Sequence, residues 1–563
     1  MKMEDMVYDV VIIGAGICGS CIARELSKLD IKTALLDKEN DVSSGSSKAN
    51  SGIVHAGYDP VPGTLMARLN IQGAELMKHY SSLLDFSYKE IGSLVLSFDE
   101  GGNAKLQELY ERGVKNGVKK LSILSRDEVL ALEPNVSENV VAALYAPTAA
   151  IISPYQTTWA FAESAVLNGV DFFRNTMVHS IKKAGADEDG KGNCNGFARN
   201  VDKRGELNDG ESDAECSSGL FYLETSSGVL KSRFVVNAGG LEAGKISRMA
   251  GARNYSILQR KGEYSLLDSS VSSLVNHVLF QTPTALGKGV LVTKTVDDNI
   301  LIGPSAADLR DKAGNASVNF SSSGAEKSAV SLERPFETEE EPLYSTGTTA
   351  AMQSLIMEKA RLSVSDIPSR ALINSFAGIR AIALDEKGNE IKDFIIEEDS
   401  AVRGFVNVGG ICSPGLTSAP AIALMVRDIL EKAGLKAKEK SGFIEERKGI
   451  KSFKDASLEE RGALIKDDSR FARIICRCEM ITEGEIVRAI HSPVGARDLD
   501  GVKRRCRAGM GRCQGGFCSP RVTEILSREL QIPMVNVTKK GGVSYILNSK
   551  TRPGVPDIAG GKQ

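Results

Sequence analysis

Four cysteines near the carboxyl end fall into two tight pairs. Cys476 and Cys478 stand one residue apart in CRCEMITEGEIVRAI, and Cys513 and Cys518 follow in GRCQGGFCSP. The pattern is C-x-C, 34 residues, then C-x4-C, which places four of the chain's ten cysteines within 43 residues. Thiolates are soft ligands, and two pairs can hold either one Zn²⁺ or the two irons of a [2Fe-2S] cluster. Spacing does not choose between them. The residues between the pairs are suited to positioning them. TEGEIVRAIHS has a helical period, with Thr482 as cap and Glu485 three residues on. RAGMG supplies glycines where backbone must wrap closely, and SPRVTEILSREL reads as another helix. Cys506, in KRRCRAG, reads as a small buried residue rather than a fifth ligand.

A second chemical signal stands at the other end. VYDVVII, Val7–Ile13, has the composition of a short buried strand. Gly14, Gly16 and Gly19 follow in GxGxxG spacing, then an amphipathic helix, then the strand TALLD ending at Asp37, 18 residues beyond Gly19. The first glycine permits a tight turn, the second lets backbone approach a pyrophosphate, and the third lets helix pack on sheet. The helix start offers N–H groups to phosphate, and the acid suits a ribose. The next stretch, VSSGSSKANSGIVHAG, is dense in small residues that can run against a cofactor. These features establish a dinucleotide fold but do not separate FAD from NAD.

The whole chain bounds the rest. Its 563 residues suffice for two to four domains, and a formal charge of -2 argues against a global field for nucleic acid. No apolar run reaches the ~18 to 20 residues of a membrane span. MKMEDMVYDVVIIGAG runs straight into a strand, with Glu4 and Asp5 where a signal peptide would carry positive charge. The expectation is a cytoplasmic protein with reduced thiols. Clustered cysteines then suggest a metal or redox site rather than a disulfide scaffold.

Residues 7 to 430 resemble the FAD-dependent oxidoreductases of the D-amino-acid oxidase and glycerol-3-phosphate dehydrogenase superfamily. The nearest branch holds the anaerobic-type glycerol-3-phosphate dehydrogenases and L-2-hydroxyglutarate oxidases. The resemblance rests on NSGIVHAG (50–57), VVNAGG (235–240), RKGEY (260–264), PTALGKGVLVTKTVDDNILIGPSA (283–306), AGIRA (377–381) and GGICSPGLTSAPA (409–421), in the family's order. It implies FAD, with Gly14, Gly16, Gly19, Asp37, Ser46, Ser51, Gly52 and Gly239 as cofactor residues. Gly415, Leu416 and Thr417 would offer N–H groups to the pyrimidine side, with a helix beginning near Ser418. Residues 474 to 525 resemble the bacterioferritin-associated ferredoxin-type [2Fe-2S] domain, which makes Cys476, Cys478, Cys513 and Cys518 iron ligands.

The implied fold combines α/β and α+β parts. A discontinuous Rossmann-like FAD domain, about 7–90, 150–245 and 365–430, carries an antiparallel-sheet substrate cap, about 91–149 and 246–364. A polar insertion spans 186–219, with Cys194 and Cys216 as surface thiols, and a second charged loop runs from Asp308 to Glu341. A charged, exposed linker, 436–468, leads to a small helical cluster domain, 469–530, and a tail, 531–563. On this plan the flavin site and the cysteines come from separate parts of the chain.

His55 in GIVHAG is the candidate proton acceptor or a ring packed beside the flavin, and the motif resembles the non-covalent branch. Arg380 in GIRA is the candidate anion clamp, since guanidinium pairs bidentately with phosphate or carboxylate. Lys261 and Lys288 are further candidate substrate cations. His79, His179, His277 and His491 carry no supporting motif. Lys503, Arg504, Arg505, Arg507 and Arg512 would offset the cluster's negative charge or dock an acidic redox partner. No aromatic platform accompanies them, which argues against nucleic acid.

The implied activity is a dehydrogenase that takes a hydride from a small hydroxylated acid onto FAD. Electrons would pass singly through [2Fe-2S] to an external acceptor, a separate flavoprotein or membrane-associated subunit. sn-Glycerol 3-phosphate is the first substrate, L-2-hydroxyglutarate or another hydroxy or amino acid the alternative. A non-catalytic flavin and iron-sulfur sensor is the competing class.

Overall fold

The computed structural model describes residues 6–184, 219–282, 289–309 and 344–549. The expected insertion, Cys194 and Cys216, Lys288, and the charged loop beyond Leu309 lie outside the described residues.

The amino-terminal strand forms over Val7–Ile13 and is almost wholly buried. It lies parallel between Thr33–Leu36 and Gly228–Asn237 at the centre of an eight-stranded sheet. Strands buried on both faces need continuous apolar runs, and VVII and TALL supply them. The helix Ile17–Leu26 packs on this sheet and against Pro154–Leu167 and Gly415–Lys432. Ile22, Leu26, Phe161, Ile422 and Val426 meet in one core. This is the doubly wound arrangement implied by the sequence, gathered from widely separated segments.

The cap is a nine-stranded sheet. Its longest pairing runs antiparallel from Ser256–Leu267 to Leu372–Leu384, in register from Ser256 opposite Leu384 to Leu267 opposite Leu372. The segment carrying AGIRA therefore belongs to the cap sheet, rather than to the third FAD segment expected from residue 365. Side chains alternate faces along a strand. Arg260, Gly262 and Tyr264 line the large cavity together with their cross-strand partners Arg380, Gly378 and Phe376.

The cluster domain is small and helical. Glu483–His491, Leu499–Cys506 and Ser519–Leu530 enclose a core including Ile486, Ile490, Val502, Ile525 and Leu526. The Thr482 and Glu485 capping box forms as its spacing predicts. The linker differs from expectation, because part of it is buried. Arg447 donates to Glu163 at 2.6 Å and to the Leu84 carbonyl at 2.7 Å, with its guanidinium 4.2 Å from the Trp159 ring centroid. Leu458–Asp467 forms a helix capped by Ser457 and Glu460.

A buried charge clamp fixes the cluster domain on the flavin domain. Arg505 grips both Asp41 oxygens at 2.7 Å, and Arg504 adds a bond at 2.8 Å. The Asp41 and Arg505 side chains are each 1% exposed, so neither has water to fall back on. Burial alone would raise the Asp41 carboxyl, but Arg505 and Arg504 outweigh it and hold the group below the ordinary carboxylate range. The resulting stabilisation is complete above about pH 4, the unfolded carboxylate value, and is lost as pH falls below it. Asp41→Asn strands a buried guanidinium and is expected to cost about 3–5 kcal/mol at neutral pH. It should also flatten the acid limb of the stability profile. Denaturant unfolding over a pH series reads both effects, and a profile matching the unsubstituted protein would contradict the clamp.

Candidate active site and cluster centre

The dinucleotide cradle follows from the glycine turn. Gly14 has φ +105°, a conformation L side chains rarely adopt, and a Cβ there would lie 2.5 Å from the Ala238 carbonyl oxygen. A Cβ on Gly19 would collide with the Gly14 carbonyl oxygen, so helix and turn can approach only with hydrogen at that position. The Ile17 N–H donates to Ser47 Oγ at 2.9 Å, and the Ala15 N–H to Asp37 Oδ2 at 2.8 Å. Burial lifts the Asp37 carboxyl to about 6, against the opposing backbone bonds from Glu39 and Ala15.

A cavity of about 1840 Å³ opens beside this turn. That exceeds the ~300–1,000 Å³ of an ordinary ligand pocket and leaves room for a dinucleotide and a substrate together. Gly14, Gly16, Asp37, Ser46, Ser51, Gly239, Gly415 and Leu416 line it. Gly19, Gly52 and Thr417 do not line it. Thr417 is fully buried behind the wall, where its hydroxyl accepts the His55 N–H at 3.0 Å and donates to the Ile53 carbonyl at 3.3 Å. The helix expected from Ser418 begins at Gly415, because the Ser418 N–H already bonds the Pro414 carbonyl at 3.1 Å. Gly415 and Leu416 thus sit in its first turn, where N–H groups lack helical partners.

His55 and Arg380 face the same cavity from different domains. The His55 carbonyl accepts from Asn70 at 2.8 Å, and its ring stacks on Phe280 with centroids 6.0 Å apart. Its Nε2 lies 3.4 Å from Ser413 Oγ. Arg380 donates to the Ser305 carbonyl at 3.3 Å. Neighbouring Arg260 is held by both Asp308 oxygens, at 2.6 and 3.1 Å, so its charge is already matched.

Lys261 does not join this group. One residue along the strand from Arg260, it points to the opposite face, and its side chain is 2% exposed. There it pairs with Glu263 at 3.2 Å and donates to the Gly347 carbonyl at 2.7 Å. Tyr264, stacked on Phe376 at 4.9 Å, lines the cavity instead. The sequence reading passed over Tyr264, Phe280 and Ser413. The period-two pattern R-x-G-x-Y was the available signal for Tyr264, once its strand is paired with AGIRA. Of the other histidines, His277 and His491 pair with Glu133 and Glu529, each at 2.7 Å, and His79 packs on Tyr80.

The four thiols come together as two close pairs, each taking one cysteine from each motif. Cys478 and Cys513 approach to 3.6 Å, and Cys476 is hydrogen-bonded with Cys518. The bond with Cys518 is the main cause that brings the Cys476 thiol down to about 6, against burial. Two thiol pairs, each with one cysteine from each motif, can hold the two irons of a [2Fe-2S] cluster. Cys506 is buried and bonds the Val502 carbonyl at 3.3 Å, and burial pushes its thiol up to about 12. It is a packing residue of its helix.

Arg504, Arg505, Arg507 and Arg512, near the second cysteine pair, have acidic partners within the chain. Besides Asp41, Arg507 bonds Asp297 at 2.6 Å and Glu479 at 2.8 Å, and Arg512 bonds Asp268 at 2.9 Å. Tyr155, at the start of an FAD-domain helix, donates to Met510 Sδ at 3.4 Å. The cysteine domain, although it comes from a separate part of the chain, reaches the cavity beside the glycine turn. Arg504, Arg507, Met510 and Gln514 line the same cavity as Gly16 and His55.

Residues 9–429 match the family described as FAD dependent oxidoreductase, and residues 474–528 match the BFD-like [2Fe-2S] binding domain. The chain is 44% identical to a glycerol 3-phosphate dehydrogenase of Caloramator mitchellensis, over 97% of this chain and 99% of that one. It is 29% identical to a glycerol 3-phosphate oxidase of Mycoplasma genitalium, covering 77% and 96%. The solved structure of dithionite-reduced L-alpha-glycerophosphate oxidase from Mycoplasma pneumoniae, with FAD bound, superposes with a TM-score of 0.63 at 27% identity, covering 78% and 98%. No helix among the described residues is long and apolar enough to cross a membrane. Glycine turn, buried acid and two-domain cavity thus belong to a member of the FAD-dependent oxidoreductase family, one that adds a [2Fe-2S] domain at its carboxyl end.

Proposed function

We propose that the protein is a cytoplasmic sn-glycerol 3-phosphate dehydrogenase that forms dihydroxyacetone phosphate and sends electrons through its cluster to a separate acceptor. The observation that carries this reading is the docking of the cluster domain onto the cavity that His55 and Arg380 line. An enzyme that handed electrons straight to oxygen would have no use for that arrangement. The relative matching across both centres carries the same activity in its name.

When bound, FAD supplies the hydride acceptor and [2Fe-2S] the one-electron carrier. Arg380 holds the phosphate and fixes the carbinol carbon's approach. His55 accepts the hydroxyl proton at Nε2 as that carbon gives up its hydride, leaving a ketone. Thr417 and Asn70 hold the His55 backbone, and Phe280 limits the tilt of its ring. The proposed acceptor is a separate flavoprotein or a membrane-associated subunit.

The test is anaerobic mixing of the oxidised protein with a substrate panel while flavin absorbance is followed. sn-Glycerol 3-phosphate should bleach the flavin within the turnover time. Bleaching by L-2-hydroxyglutarate or an amino acid alone would replace the substrate. Bleaching by none of them, with reduction by dithionite intact, would favour a sensor.

A further inference from the structure

We propose that the cluster domain and the chain beyond it form part of the FAD site itself, walling the adenosine diphosphate half and presenting Lys540 to its pyrophosphate. Phosphate is favoured at the Gly16–Ile17 helix start. Ser47 accepts the Ile17 N–H there, and the next residue is Lys48. Two cations from the far end of the chain, Arg504 and Lys540, line the same cavity as Lys48. Burial chiefly, with Arg504 and Lys540 adding, lowers the Lys48 ammonium, while Asp500 and Glu39 oppose. Lys48, Arg504 and Lys540 line one cavity with Gly16. Arg504 is shared with Asp41, so Lys48 and Lys540 are the cations this wall offers to a dianionic linkage at the phosphate-binding helix start.

The wall is built into the fold. The Leu499 and Asp500 N–H groups bond the Thr538 and Lys539 carbonyls at 3.2 and 2.9 Å, tying the segment after the cluster to the domain's second helix. Thr538 bridges to Tyr545, so the segment between turns back as a hairpin. Lys539 is held by Asp500 at 2.8 Å, which leaves Lys540 as the tip cation. On the flavin side, Asn40 donates to Asp498 at 2.5 Å. Gly541 sits so close to Asn40 that a Cβ there would come within 2.5 Å of its side chain. Asn40 and Asp41 lie three and four residues past the ribose-binding candidate Asp37, so the wall is anchored at the adenosine end. The inference does not depend on which substrate is oxidised.

The test uses the full-length protein carrying FAD and cluster. Lys540→Glu is exposed and should fold normally, with iron content as in the unsubstituted protein. The release rate of FAD, read from the fluorescence of the freed cofactor after dilution, is expected to rise about tenfold at low salt. The difference should shrink as salt increases, and Lys540→Arg should restore slow release. Equal release from Lys540→Glu and the unsubstituted protein at low salt would overturn the proposal. So would a raised KM on FAD-saturated Lys540→Glu with unchanged FAD release, because Lys540 would then serve the substrate.

Discussion

Replacing Arg380 by alanine is expected to raise the KM for sn-glycerol 3-phosphate by about 30-fold or more while FAD stays bound. Truncating one partner of a buried, hydrogen-bonded charge pair costs about 2–5 kcal/mol, which sets the scale. Arg380 is the apt cation because its neighbours are committed. Arg260 is gripped by Asp308 and Lys261 by Glu263. Among the described residues Arg380 makes no ion pair, and the Ser305 carbonyl orients the guanidinium without neutralising it. Arg380→Lys keeps the charge but loses the fork, so it should recover only part of the loss. Steady-state kinetics beside measured FAD content decide the matter. An unchanged KM in Arg380→Ala would remove the clamp role.

Replacing Cys513 by serine is expected to abolish the cluster and collapse turnover with the physiological acceptor, while substrate still reduces the flavin. Serine is a poor ligand for iron, and Cys513 lies 3.6 Å from Cys478 at the shared site. On the proposed mechanism, flavin reduction by substrate relies on His55 and Arg380, which come from the other domains. A small dye that reaches the flavin directly should therefore keep some turnover. Because the cluster domain walls the flavin cavity, FAD content must be measured on the same sample. Normal transfer to the acceptor in verified cluster-free protein would make the cysteines structural.

The parts legible in the sequence were those written locally. Gly14, Gly16, Gly19 and Asp37 encode a turn and an acid within one strand–helix–strand unit, and backbone contact enforces Gly14 and Gly19. The Thr482 cap needed only its own helix start. What escaped was set by pairing at long range. Lys261 and Arg260 are adjacent in RKGEY, and only the strand's register shows that Arg260 faces the cavity while Lys261 faces away. The Asp41–Arg505 clamp joins residues 464 positions apart, and no local pattern marks either side chain as buried. Arg447 reads as one charge in a polar linker until Glu163 and Trp159 are seen around it. The cation-rich run after Val502 read as charge offsetting the cluster or docking an acidic partner; its contacts with Asp41, Asp297 and Asp268 in the other domains carry no local signal.

The central claim is that electrons from the substrate cross from flavin to cluster within one chain. Rapid anaerobic mixing with sn-glycerol 3-phosphate, followed by freeze-quench electron paramagnetic resonance, tests it most directly. Flavin absorbance should fall first, and the signal of a reduced [2Fe-2S] cluster should then grow as flavin electrons redistribute, at a rate independent of protein concentration. A fully reduced flavin beside a cluster that stays oxidised through many turnover times, or a protein that holds zinc in place of iron, would contradict it.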